Sequence, residues 1–126
     1  MTTTQRRPNV LDRECPSRTA LRHLTDRWTP LIVAVLGSGE FIRFTELKKE
    51  VQGISPKVLT ETLRSMERDG LVTRRVTASI PPRVDYQLTD LGHTTVPPLT
   101  ALRQWAEEHI AVIEKNRESY DRANGA

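Results

Sequence analysis

The stretch Ile54–Gly70, read as ISPKVLTETLRSMERDG, leaves this chain little conformational freedom. Ser55 supplies a hydroxyl able to cap a helix, and Pro56 fits the first helical position, where a missing N–H costs nothing. Gly70 provides a left-handed stop. Between them Leu59, Leu63 and Met66 recur at i, i+4, i+7 and form one apolar stripe, with Val58 and Thr62 at its margin. Lys57, Thr60, Glu61, Arg64 and Arg68 fall on the other side. A polar face of long donors beginning in the first turn, where the helix dipole also favours an anion, suits a nucleic-acid groove. Taken alone, it suits a solvated surface helix equally well, so the neighbouring segments decide.

Upstream, Phe44–Val51 reads as a two-turn helix with Phe44, Leu47 and Val51 on one side, followed by the turn Gln52-Gly53-Ile54. Two helices joined by a three-residue turn containing glycine have the form of a helix-turn-helix, whose second member is the recognition helix. Downstream, residues 71–76 and 83–88 alternate or nearly so and flank a proline-stiffened tip at 77–82, which predicts a β-hairpin. A hairpin directly behind a recognition helix is a wing. It carries Arg74, Arg75 and Arg83, placed to reach phosphates or a minor groove.

The remaining segments flank this centre. A helix is expected from Pro16 to about Leu24 or Thr25, with Ala20, Leu21 and Leu24 inward. Asp26 can cap a second one, Arg27 to about Leu36, expected to be the most buried element, with Trp28 as a core anchor. Phe41-Ile42-Arg43 is a short extended piece. Thr89 caps Asp90–Val96, and Pro97-Pro98 kinks or restarts the helix. From Leu99 to about Lys115, Leu99, Leu102, Ala106, Ile110 (or His109) and Ile113 recur at alternating spacings of three and four, an apolar face too large for a terminal helix to bury within one small domain. It is therefore read as a dimerisation helix, paired with the first helix of a partner. The expected organisation is a flexible basic arm (1–14), one domain (15–115) including that helix, and a fraying polar tail (116–126).

Composition narrows the classes. With 126 residues the chain is long enough for one core and too short for a large catalytic pocket. Residues 1–88 hold 15 basic against 10 acidic side chains, and residues 89–126 hold 4 against 6, so the basic excess lies in the body. Such an excess fits a polyanionic partner. The one cysteine, Cys15, excludes an intramolecular disulfide. No signal peptide and no span long enough for a bilayer is evident, which points to the cytoplasm and away from a membrane. His23, His93 and His109 are scattered and reach no usual zinc spacing, and no phosphate-binding glycine loop or nucleophile elbow occurs, so neither a metal, a cofactor nor an enzymatic activity is expected.

The order helix, helix, strand, helix, helix, hairpin, helix gives the fold class: mainly α with a small β-hairpin, a winged helix-turn-helix with flanking N- and C-terminal dimerisation helices. Its blocks Cys15-Pro16, Asp26-Arg27-Trp28-Thr29, Arg43–Leu47, Gly53–Leu59, Leu63, Glu67–Val72, Pro81–Tyr86 and Leu88–Gly92 occur in an order and spacing that resemble the HxlR-type (MarR-like) bacterial transcription regulators, over roughly residues 15 to 106. Thr25 and Pro30 depart from the family's more usual glycine and leucine beside the second helix. The resemblance implies a homodimer that binds an inverted-repeat operator in double-stranded DNA, with no catalysis and no required cofactor. It also implies that Cys15 can be a sensor, since in a subset of the family a cysteine there responds to oxidants or electrophiles such as quinones; the alternative is a small buried thiol without redox use.

On this reading Ser55, Pro56 and the first-turn N–H groups meet a phosphate. Lys57 and Arg64 reach base edges or phosphates, Thr60 a thymine methyl or phosphate, and Arg75 and Arg83 extend the contact from the wing. Arg64 is the first choice for reading guanine, because its fork matches O6 and N7. Arg83 could instead pair with Asp85. Arg13, Arg18 and the helix dipole could stabilise a Cys15 thiolate. Two other functions fit the same fold: control by a small aromatic ligand at the dimer interface, and a winged-helix module for protein contacts without DNA binding. The basic recognition face argues against the second.

Overall fold

The computed structural model describes residues 7–125. Residues 1–6, the first part of the expected arm including Arg6, lie outside the described residues. The chain divides into two units, with the division between Val96 and Pro97.

Among the described residues of the first unit, 9–15 form a turn within the stretch expected to belong to the flexible arm. Asp12 N donates to Asn9 O and Cys15 N to Asp12 O, both at 3.0 Å. Arg18 closes it by donating from Nε to Val10 O at 2.7 Å and from Nη2 to Leu11 O at 3.0 Å. Helix α1 (Ser17–Thr25) follows. Ala20 and Leu21 were expected inward, but both are exposed, Leu21 to 43%, and Leu24 is half-buried. No residue of this helix is buried, although it packs against α2.

Helix α2 (Thr29–Leu36) starts two residues later than expected, because Asp26 Oδ2 accepts from both Trp28 N (2.8 Å) and Thr29 N (2.9 Å), and Pro30 takes the first turn. It buries Ile32, Val33 and Leu36 but leaves Leu31 exposed to 42%, so it is buried on one side only. Trp28 is half-buried, with Arg27 stacked 4.6 Å above its ring.

Strand β1 (Ile42–Arg43) leads into α3 (Phe44–Glu50). Gly53, at φ +90°, makes the turn that a side chain would strain. Helix α4 (Pro56–Arg68) then runs between the expected limits. Ser55 Oγ accepts from Val58 N at 3.1 Å, and Gly70 stops the chain at φ +79°. Leu59, Leu63 and Met66 are fully buried, joined in the core by Leu36, Leu47, Val51 and Ile54.

Strands β2 (Val72–Thr77) and β3 (Arg83–Leu88) form the hairpin, and β1 adds to its far side, giving an antiparallel sheet of order β1-β3-β2. Arg75 and Arg43 both pair with Asp85, while Arg74 and Ile42 both pair with Tyr86. Opposed residues share a face, so Arg43, Asp85 and Arg75 lie on one side of the sheet and Ile42, Tyr86 and Arg74 on the other. Val72, Tyr86 and Leu88 are buried, which identifies the second side as the one turned to the core.

Thr89 joins α4's end to the next helix. Its hydroxyl donates to Gly70 O and accepts from Gly92 N at 3.0 Å, capping α5 (Asp90–His93). This helix is shorter than the expected Asp90–Val96.

The second unit is essentially one helix, α6 (Val96–Ala123), which begins earlier and ends later than the expected Leu99–Lys115. Pro97 and Pro98 sit in its first turn, where they are tolerated. Beyond Asn116, where a fraying tail was expected, the helix continues to Ala123, and the polar run 117–122 places opposite charges at i, i+4 spacing. Asn124 Nδ2 finishes it by donating to Tyr120 O at 2.8 Å.

Candidate nucleic-acid interface

Capping fixes the first turn of α4. Ser55 spends one lone pair on Val58 N, and its hydroxyl hydrogen remains able to donate outward. Pro56 and Lys57 are exposed beside it. Thr60 is half-buried and donates its hydroxyl to Pro56 O at 2.8 Å, so its methyl group and oxygen lone pairs, not its proton, are left for an outside partner. Arg64 is exposed one turn further on and is not ion-paired among the described residues. Lys57, Thr60, Glu61, Arg64 and Arg68 thus form the side opposite the buried Leu59, Leu63 and Met66.

The wing arginines are more constrained. Arg75 Nη2 and Arg83 Nε reach Asp85 at 3.0 and 3.1 Å, and the Arg75 guanidinium stacks 3.8 Å above the Phe41 ring. The carboxylate is 1% exposed while the two arginine side chains remain 51% and 44% exposed. Burial pushes the Asp85 carboxyl up, but the hydrogen bonds and charges of Arg75 and Arg83 outweigh it and hold the group below the usual carboxylate range. Asp85 therefore stays ionised and presents two oriented guanidiniums carrying a net positive charge.

Between α4 and the hairpin lies a hollow of about 440 Å³ lined by Arg43, Arg64, Arg74 and Arg83, with Thr60 and Tyr86. Arg74 Nε lies 3.5 Å from Glu67 Oε1 of α4. Burial pushes the Tyr86 phenol up, and the charges of Arg74, Glu67 and Arg64 all act on it, a sign of how closely these groups converge. Arg43 and Glu67 were not singled out as site residues from sequence. Arg74, already placed on the wing from sequence, shares strand parity with the buried Val72, whereas Arg75 has the opposite parity.

Cys15 is half-buried at the amino end of α1. Its sulfur lies 2.9 Å from Ser17 Oγ and accepts from Asn9 N at 3.2 Å. The Ser17 side chain, then the Ser17 and Asn9 amides, lower its pKa against the opposing effects of burial and Asp12. The expected arginines do not do this: Arg18 is held by the Val10 and Leu11 carbonyls, and Arg13 lies 3.7 Å from Glu14.

Of the expected dimerisation positions on α6, Leu99 is buried, Leu102 and Ile110 are 53% and 47% exposed, Ala106 is exposed and Ile113 is half-buried. Trp105, on the same side, is 57% exposed and stacks on His109 at 5.2 Å. Among the described residues no group of His, Cys, Asp and Glu is arranged to hold a metal, and no helix is long and apolar enough to cross a membrane.

Comparison with known proteins agrees with this geometry. A family model described as HxlR-like helix-turn-helix matches residues 23–114. An uncharacterised HTH-type transcriptional regulator, YtfH of Escherichia coli K12, is 38% identical over 105 residues, covering 83% of this chain and 82% of the relative. The solved structure of ytfH from Salmonella typhimurium, described as a candidate transcriptional regulator, superposes with a TM-score of 0.82 at 36% identity, over 89% of this chain and 99% of that one. The redox regulator HypR in its oxidised form superposes with a TM-score of 0.66 at 32% identity, over 75% and 96% of the two chains.

Proposed function

Because this chain belongs to the HxlR-like helix-turn-helix family and is a transcriptional regulator rather than an enzyme, we propose that it works as a homodimer that reads an inverted-repeat operator in double-stranded DNA. The observation that carries this reading is the two-sidedness of α4. Three fully buried apolar residues fix its rotation, so Lys57, Thr60 and Arg64 present a continuous polar edge that starts at the capped first turn. Ser55, Pro56 and the first-turn amides meet a phosphate, Lys57 and Arg64 enter the major groove, and Thr60 offers its methyl group to thymine. Arg75 and Arg83, pre-oriented by Asp85, extend the contact to the backbone or minor groove.

The exposed side of α6 supports the dimer. Leu102, Ala106, Ile110 and Ile113, with Leu99 at the head of the row and Trp105 alongside, carry apolar area that a solvated helix gains nothing by showing. The exposed apolar side of α1 is the surface proposed to pair with it in the partner.

Cys15 gates the dimer in this proposal. Its lowered pKa favours the thiolate, the form that attacks disulfides, peroxides and quinones. The solved relative HypR is a redox regulator by description, which makes redox control worth testing here. The test is a mobility-shift titration with the chain's own upstream DNA, reduced and then treated with diamide, for wild type and Cys15→Ser. Oxidant-dependent loss of binding that is confined to wild type and reversed by reductant supports gating. Binding by both proteins that ignores oxidant leaves DNA recognition in place and removes the gate.

A further inference from the structure

The hollow between α4 and the hairpin holds more positive charge than the recognition helix alone accounts for. Four arginines from four different elements line it: Arg43 of β1, Arg64 of α4, Arg74 of β2 and Arg83 of β3. Glu67 and Asp85 supply the opposing charge, Asp85 from beneath the wing and Glu67 from α4 itself. Among the described residues Arg43 and Arg64 are not ion-paired. Glu67 and Asp85 offset only part of this charge, so the hollow keeps a net positive balance, and the guanidinium fork suits a phosphate oxygen.

We propose that this hollow seats a backbone phosphate of the bound duplex, with Arg43 and Arg74 as phosphate-binding residues beyond those of the recognition helix, and with Glu67 as a built-in counter-charge that orients Arg74 and restrains non-specific affinity. The proposal rests on the reading of the chain as a DNA-binding regulator and deepens it. It assigns opposite roles to the two members of one contact, the 3.5 Å pair of Arg74 Nε and Glu67 Oε1. The pair is about half exposed on both sides, 47% and 39%, so it contributes little as a structural ion pair and can exchange partners when a phosphate arrives.

The test measures duplex affinity by fluorescence anisotropy across a salt series, for wild type, Arg43→Gln, Arg74→Gln, Arg74→Lys and Glu67→Gln, on the chain's own upstream sequence and on a scrambled duplex. Thermal melts in parallel confirm that each variant folds. Arg43→Gln and Arg74→Gln are expected to weaken binding several-fold on both duplexes. Each should also flatten the log K against log salt slope, by no more than about 2 in a dimer, because the two arginines share one phosphate per protomer at about 0.9 per phosphate. Arg74→Lys should recover most of the loss, and Glu67→Gln should tighten binding to both duplexes. If Arg74→Gln and Glu67→Gln shift affinity in the same direction, or leave the slope at the wild-type value, the pair is merely structural and the proposal is overturned. Should wild type bind no duplex at low salt, DNA is not the source of the phosphate, and the melts are repeated with inorganic pyrophosphate. Stabilisation of wild type but not of the two glutamine variants then supports the seat with a free anion as its occupant, and no stabilisation overturns it.

Discussion

A wholly buried carboxylate held by two half-exposed guanidiniums, as Asp85 is by Arg75 and Arg83, ties the shape of the wing to pH. Its pKa is depressed in the folded chain, so its contribution is complete above the ordinary carboxylate value and is lost as pH falls through the folded one. Wild type is expected to melt higher than Asp85→Asn at neutral pH, with the gap closing as the buffer drops below about pH 4. A gap that widens on acidification would contradict this assignment. Cys15 gives the matching expectation at the other end of the chain. Ser17 is the largest influence lowering its pKa, so Ser17→Ala should move the midpoint of the pH profile for alkylation by iodoacetamide upward. Replacing Arg18, which is occupied with backbone carbonyls, should leave that midpoint nearly where it was if the local turn survives. In the sequence the arginines are the visible positive charges near this thiol, whereas the role of the serine two residues away is not legible there. Charge can be read from composition, but a 2.9 Å hydrogen bond depends on how the turn at Asn9–Cys15 closes.

The elements carry two further expectations. Ser55 both caps α4 and stands where a phosphate is proposed, and the two roles separate by substitution. Ser55→Ala removes the cap and should cost about 1 kcal/mol of stability. Ser55→Asp keeps a capping oxygen while adding a negative charge, so its melting temperature should stay close to wild type while duplex affinity falls several-fold. Equal affinity for Ser55→Asp and wild type would remove the phosphate from this turn. Gly92 tests the join between hairpin and α5: a Cβ there would lie 2.0 Å from the Leu71 carbonyl oxygen, so Gly92→Ala should cost at least the roughly 1–3 kcal/mol typical of an overpacked core. The limits of α4 were legible because Ser-Pro and Gly punctuate the strongest periodic segment. The hairpin was legible because alternation flanks two prolines. The pairing of β1 with β3 was not, since a two-residue strand has no period to read. The length of α6 was misjudged at both ends for a related reason: prolines read as a break were in its first turn, and a polar run read as a tail kept helical charge spacing to Ala123. Strand parity could have separated Arg74 from Arg75, because it depends only on which neighbour, Val72, is apolar enough to face the core.

At the scale of the whole molecule, the exposed apolar sides of α1 and α6 and the basic edge of α4 make sense together if two copies associate and present two recognition helices about one helical turn, roughly 34 Å, apart. Ile110→Glu changes a position 47% exposed in the protomer, so helix content should be retained while sedimentation shifts from dimer to monomer. An unchanged dimer would move the proposed interface elsewhere. Exposure of single positions was legible only in part, since a helical period marks a face without saying what covers it. The most direct measurement is a duplex titration with the chain's own upstream DNA at several salt concentrations, with Arg64→Ala in parallel. With about four phosphates met per protomer, the expected result is a log K against log salt slope of about −7. Two protomers should bind per duplex, and Arg64→Ala should lose about 1–3 kcal/mol with relaxed sequence preference. A slope near zero, with wild type and Arg64→Ala binding alike, would contradict DNA recognition through α4.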